Sequence, residues 1–139
     1  MIDRVLVPMD DSEMAEHALR YALDAHPDAD VTVVTVVGEP SPMWGEATAI
    51  ALADDIEKAA EEHAERVLDH AREVASEYET EIDTEVMLGT PARAIIDHAE
   101  DFETVVMGSH GGNLSDTLLV GNVAEKVFRR SPVPVTVVR

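Results

Sequence analysis

No cysteine occurs among the 139 residues. Disulfides and thiolate chemistry are therefore excluded, and zinc sites built on cysteine go with them. Lysine is nearly missing too, since only Lys58 and Lys126 occur, and 10 basic residues stand against 29 acidic ones for a formal net charge of −19. That balance leaves no basic face for nucleic acid. No apolar run approaches the roughly 20 residues needed to span a membrane, and no N-terminal signal segment is visible. Cytoplasm is the natural reading. Neither a Gly-x4-Gly-Lys-Ser/Thr loop nor a Gly-x-Gly-x-x-Gly fingerprint is present. There is no His-Glu-x-x-His pair, internal repeat, linker or low-complexity segment.

What is present alternates. Ile2–Val7 is a first apolar run, ended by Pro8-Met9-Asp10-Asp11-Ser12. Asp11 or Ser12 can cap a helix to about Ala25, with Met14, Ala15, Ala18, Leu19 and Ala22 on one face. Val31–Val37 is a second strand. A loop with Pro40, Pro42 and Trp44 follows, readable as a lid, an interface patch or a small satellite core. A long helix then runs from Ala47 or Asp54 to Tyr78. Its residues Ile56, Ala60, His63, Val67, Ala71, Val74 and Tyr78 step by three or four, which predicts the core-facing stripe. Ile82–Leu88 alternates as a strand at or near an edge. Thr90 and Pro91 open a helix as cap and first-turn proline, and Ile95, Ile96 and Ala99 are its apolar face. Thr104–Met107, a last helix and Val133–Val138 complete a βαβαβαβαβ order. Such alternation predicts one α/β domain over residues 1–139, with a parallel sheet and right-handed crossovers.

The stretch from Glu103 to Glu125 organises the rest. Thr104–Met107 reads as a strand buried on both faces. Gly108, Gly111, Gly112 and Gly121 follow, and Val123, Ala124, Val127 and Phe128 then recur at helical spacing. Glycines between strand and helix allow close backbone approach to a ligand. A helix N-terminus adds free N–H groups and a positive dipole end, which together suit a phosphate. The plain alternative is a tight turn and a cap.

The spacing Gly108, Gly111, Gly121 resembles the Gly-x2-Gly-x9-Gly-Ser/Thr nucleotide loop of the universal stress protein family. Met107-Gly108-Ser109-His110-Gly111 and Arg130-Ser131-Pro132-Val133-Pro134-Val135 are similar to that family too, and the resemblance spans the whole chain. One position departs: Asn122 replaces the family's Ser/Thr. Asn caps helices well, and Glu125 three residues on completes a capping-box pattern.

The resemblance implies a Rossmann-like, adenine nucleotide alpha hydrolase-like fold: an open five-stranded sheet of order 3-2-1-4-5 with helices on both faces. Its winding would reverse between strands one and four, where open α/β sheets bind ligands. It implies ATP or a related adenine nucleotide as ligand, as in the ATP-binding members. Pro8, Met9 and Asp10 would line the adenine or ribose side, Val36 would pack on the base, and Met107 and Gly108 would support the ribose. The backbone of Ser109, His110, Gly111, Gly112 and Asn113, with Gly121, Asn122 and Val123, would hold phosphates. From the residues alone, Asp10 reads equally as a turn carboxylate and Val36 as core. The family often has a basic residue where Gly112 stands. Without it, backbone amides and Mg²⁺ or Mn²⁺ on the phosphates would have to oppose the negative charge. A homodimer through Val133–Val138 and a stress-response or signalling role are also implied. A nucleotide-free interaction protein and a slow ATP hydrolase are the alternatives.

Other chemistries are weaker. His63 and His70 lie about 10 Å apart along one helix, too far for one metal. His17 and His98 read as surface residues. Ser109, His110 and Asp116 have the residue types of a hydrolytic triad without suitable spacing, so no catalytic residue is assigned. Acidic residues are spread over every candidate helix, a halophile-like pattern in which salt screens self-repulsion.

Overall fold

The computed structural model describes residues 1–38, 46–110 and 121–139, with the side chains of residues 46–54 and 56 left aside. The elements are β1 Arg4–Pro8, α1 Glu13–Ala25, β2 Asp30–Val37, α2 Glu46–Glu77, β3 Asp83–Leu88, α3 Pro91–Ala99, β4 Thr104–Gly108, α4 Asn122–Arg130 and β5 Val135–Val138. The sheet is five-stranded with order β3-β2-β1-β4-β5, and every pairing is parallel. The expected α/β fold and strand order are both found.

Alternation along the strands sorts the core into two layers, as a sheet covered on both faces requires. Val5, Val7, Val31, Val33 and Val106 pack on Ala15, Ala18, Leu19 and Ala22 of α1 and on Val67, Leu68, Ala71 and Val74 of α2. Leu6, Val34, Val105 and Met107 pack on Ala92, Ile95 and Ala99 of α3 and on Ala124 and Val127 of α4. The connections leave β1 on one face and β4 on the other, so the winding reverses between these neighbours.

Chain ends of the elements follow local chemistry. Ser12 caps α1, its hydroxyl accepting from the Ala15 amide at 3.1 Å. Thr90 holds the cap position of α3 with Pro91 in the first turn, but its side chain makes no capping bond. α2 ends where Glu79 takes a positive φ of 55°. β5 begins at Val135 instead of Val133, because Ser131 Oγ ties off a turn by accepting from the Val133 amide and donating to its carbonyl. The Pro134 carbonyl then accepts from Val105 N at 3.0 Å and Thr104 Oγ at 2.9 Å.

Ion pairs fasten α1 to α2. Glu16 bonds His70, and Arg20 reaches both Glu16 at 3.3 Å and Glu77 at 2.8 Å. The His70 bond holds the Glu16 carboxyl below its ordinary pKa, Arg20 assists, and desolvation opposes. His98 departs from its surface reading: it is half-buried, bonds Glu85 at 2.6 Å and meets the Phe102 ring edge-on. In α4 only Ala124 and Val127 of the apolar set are buried, while Val123 and Phe128 are exposed.

Candidate functional site

A cavity of about 410 Å³ opens beyond the carboxyl ends of the strands at the winding reversal. Its volume lies within the roughly 300–1,000 Å³ of small-molecule sites. The β1 end contributes Pro8, Met9 and Asp10, and β2 contributes Val34, Thr35 and Val36. The β4 end contributes Met107, Gly108 and His110, and the start of α4 contributes Gly121, Asn122, Val123 and Ala124. Residues distant in sequence thus meet because two adjacent parallel strands send their helices to opposite faces.

Gly111, Gly112 and Asn113 lie outside the described residues, as do Asp116 and the Trp44 loop. Ser109 is present but does not line the cavity; it is only 1% exposed. Its amide donates to the Val138 carbonyl at 2.8 Å, extending the β4–β5 ladder, and the Gly121 amide donates to the Ser109 carbonyl at 2.6 Å. These two amides, expected at the phosphates, are therefore engaged within the protein. The Ser109 hydroxyl contacts His110 Nδ1 at 3.2 Å, but its burial withdraws it from any nucleophilic role.

One expectation about this loop needs correction. Asn122 is not the cap of α4. Gly121 takes that position with an extended backbone, φ −65° and ψ 160°, and Asn122 is the first helical residue. The capping box is accordingly absent: Glu125 pairs with Arg129 at 3.1 Å. Gly108, which lines the cavity, also has a packing reason to be glycine. A Cβ there would lie 2.9 Å from Met14 Cγ and 3.0 Å from the Met14 backbone, so glycine lets α1 press against β4.

The first turn of α4 remains. The Glu125 amide reaches back to the Gly121 carbonyl, while the amides of Asn122, Val123 and Ala124 have no acceptor among the described residues. Unpaired first-turn amides carry the positive end of the helix dipole, and all three residues line the cavity. Asp10 faces the same space. One of its oxygens accepts from the Ser12 amide at 2.9 Å, leaving the other for a ligand hydroxyl or amine. Met9, Val34, Val36, Ile95 and Met107 supply apolar walls.

The sequence reading missed Ser12, Ala15, Thr35, Pro91, Ile95 and His63, all of which line the cavity. Pro91 and Ile95 were accessible in principle, since the N-terminus of α3 sits at the same edge of the sheet as the glycine loop. His63 interrupts an otherwise apolar stripe, and that interruption was its signal. Instead of packing in the core, it has 47% of its side chain exposed and lies 3.9 Å from Asp11. Among the described residues no group of three His, Asp or Glu is arranged to hold a metal, and no helix is long and apolar enough to cross a membrane.

This geometry has counterparts. The model of the universal stress protein family matches residues 1–139. The chain belongs to the universal stress protein family. Universal stress protein MJ0531 of Methanocaldococcus jannaschii is 29% identical, over 98% of this chain and 81% of that relative. Universal stress protein UspA from Lactobacillus plantarum superposes with a TM-score of 0.85 at 25% identity, covering 99% of this chain and 98% of that one. A universal stress protein in complex with cAMP superposes with a TM-score of 0.72 at 25% identity, covering 99% and 97%. Some structural neighbours in the universal stress protein family therefore bind adenine nucleotides.

Proposed function

We propose that this universal stress protein binds an adenine nucleotide, ATP, in the cavity between β1 and β4 and acts as a cytoplasmic stress-response or signalling module. One observation carries the reading: the first-turn residues of α4, whose amides have no acceptor among the described residues, line an apolar cavity of about 410 Å³ at the reversal point of the sheet. The purine would lie against Met9, Val34 and Val36, and the free oxygen of Asp10 would accept from ribose or the adenine amine. Met107 would pack against the sugar. The phosphates would face the amides of Asn122, Val123 and Ala124. Binding there excludes water from the base, while the helix end offsets phosphate charge.

Mg²⁺ or Mn²⁺ carried on the phosphates supplies the charge that this site lacks, since no Lys or Arg lines the cavity. The same reading has β5 pairing with its copy in a homodimer, because the edge strand exposes main-chain groups to a second chain.

The test is calorimetric titration of ATP in molar KCl, with Mg²⁺ and with EDTA. Saturable heat in Mg²⁺ that weakens in EDTA is expected. No heat in either would leave the nucleotide-free interaction protein as the better reading, and phosphate release during the titration would mark a hydrolase.

A further inference from the structure

The cavity has an electrostatic peculiarity. Asp10 is an acid in its wall, and Asp11 stands beside it, but no fixed cation lines it. The loop outside the described residues contributes none either, because residues 94 to 125 contain no Lys or Arg. The cavity-lining side chains able to become positive are His63 and His110. His110 is engaged through Nδ1 with Ser109. His63 belongs to no glycine motif and comes from a different element. It is held at the rim because its helical neighbours Ala64 and Val67 are buried, which fixes its backbone on a rigid helix while the ring stays wet.

Resting on the nucleotide-binding reading above, we propose that His63 contacts the bound nucleotide and makes its binding proton-linked. Histidine is the side chain whose ordinary titration falls between about pH 5 and 8. A protonated ring at this rim opposes Asp10 and Asp11 and attracts an anionic ligand; a neutral ring leaves the carboxylates unopposed. Asp11, 3.9 Å away, and Asp10 are the charged groups facing it from the β1–α1 loop. His110 faces it from the end of β4. The wall residues of α1, β2, α3 and α4 carry no charge, and on α2 itself Glu61, Glu62, Glu65 and Arg66 are the charged residues within three positions of His63. Affinity should therefore rise as pH falls, because ligand anions favour the protonated ring and binding takes up a proton.

The experiment measures Kd for Mg·ATP at pH 6 and pH 8 with wild type, His63→Gln and His63→Arg. The ligand's own phosphate titration is common to all three and cancels when their pH ratios are compared. Proton uptake on binding should make the wild-type ratio larger than that of the glutamine variant, by up to about tenfold. The arginine variant, permanently charged, should show the same pH ratio as the glutamine variant while binding more tightly than it at pH 8. Equal pH ratios in wild type and His63→Gln would overturn the proposal while leaving nucleotide binding intact. No binding by wild type at either pH would overturn the functional reading, and this proposal with it.

Discussion

At the scale of single residues, the glycine loop separates two roles that one motif conceals. Gly108 is a packing residue: a methyl group there would press into Met14, including backbone atoms at 3.0 Å that cannot swing aside. Gly108→Ala should therefore destabilise the fold by about 1–3 kcal/mol, read as a lower urea midpoint, with nucleotide affinity of the folded fraction nearly unchanged. A stable variant with lost binding would instead make Gly108 a ligand residue. The motif reading found this glycine but not its packing against Met14, because spacing in a sequence records which positions must be small and not what presses on them. The same limit explains Asn122. Its side-chain chemistry suits a cap, yet the Ser109 carbonyl accepts from Gly121 N and draws that residue into the cap position. A tertiary hydrogen bond decided the boundary by one residue. His63 shows the converse: periodicity placed it in the core stripe, whereas α2 turns that position toward Asp11 and the cavity rim.

At the scale of elements, β5 carries the clearest consequence. Its neighbour β4 donates to the carbonyls of Pro134 and Val138. In a parallel ladder alternate residues face one partner, so the main-chain groups of Val135 and Val137 point to the free edge. Val137→Pro removes an N–H that the β4 ladder does not use, and proline is tolerated on edge strands. If two copies pair through β5, this variant should run as a monomer by light scattering while keeping the wild-type far-ultraviolet spectrum. A variant that remains dimeric would place the interface elsewhere. The central strands were legible because their runs are apolar and bounded by turn residues, as buried parallel strands need, and β3 was legible from its alternation. The long helix was legible from its repeat, and among the described side chains its buried residues are Ala64, Val67, Leu68, Ala71, Val74 and Ala75. At about 1.5 Å per residue, a 32-residue helix is roughly twice as long as the eight-residue β2 at about 3.3 Å per residue.

At the scale of the whole molecule, fold class followed from alternation of elements, and the site followed from where the winding reverses. Neither depends on charge, and charge is where this chain is least ordinary. Its ion pairs sit at the surface and are individually worth about 0–1 kcal/mol, and the 10 basic residues can neutralise only part of the 29 acidic ones. Two opposing effects act when salt is added. Screening weakens pairs such as Arg20–Glu77 and Arg72–Asp69, which lowers stability. It also relieves repulsion among the surplus carboxylates, which raises stability. The second should win, because the net charge of −19 acts over the whole surface, while among the described residues the arginine ion pairs involve Arg20, Arg72, Arg93 and Arg129. The Debye length falls from about 10 Å at 0.1 M to about 3 Å at 1 M, so most of the relief arrives within that interval. The thermal midpoint should accordingly rise between 0.1 M and 1 M KCl, and each kcal/mol relieved should appear as about 2–8 °C for a domain near this size. Scanning calorimetry at matched pH measures it directly. A midpoint that stays level or falls across the same range would mean that the local pairs outweigh the global repulsion, and that the acidic surface serves a binding partner instead of a saline solvent.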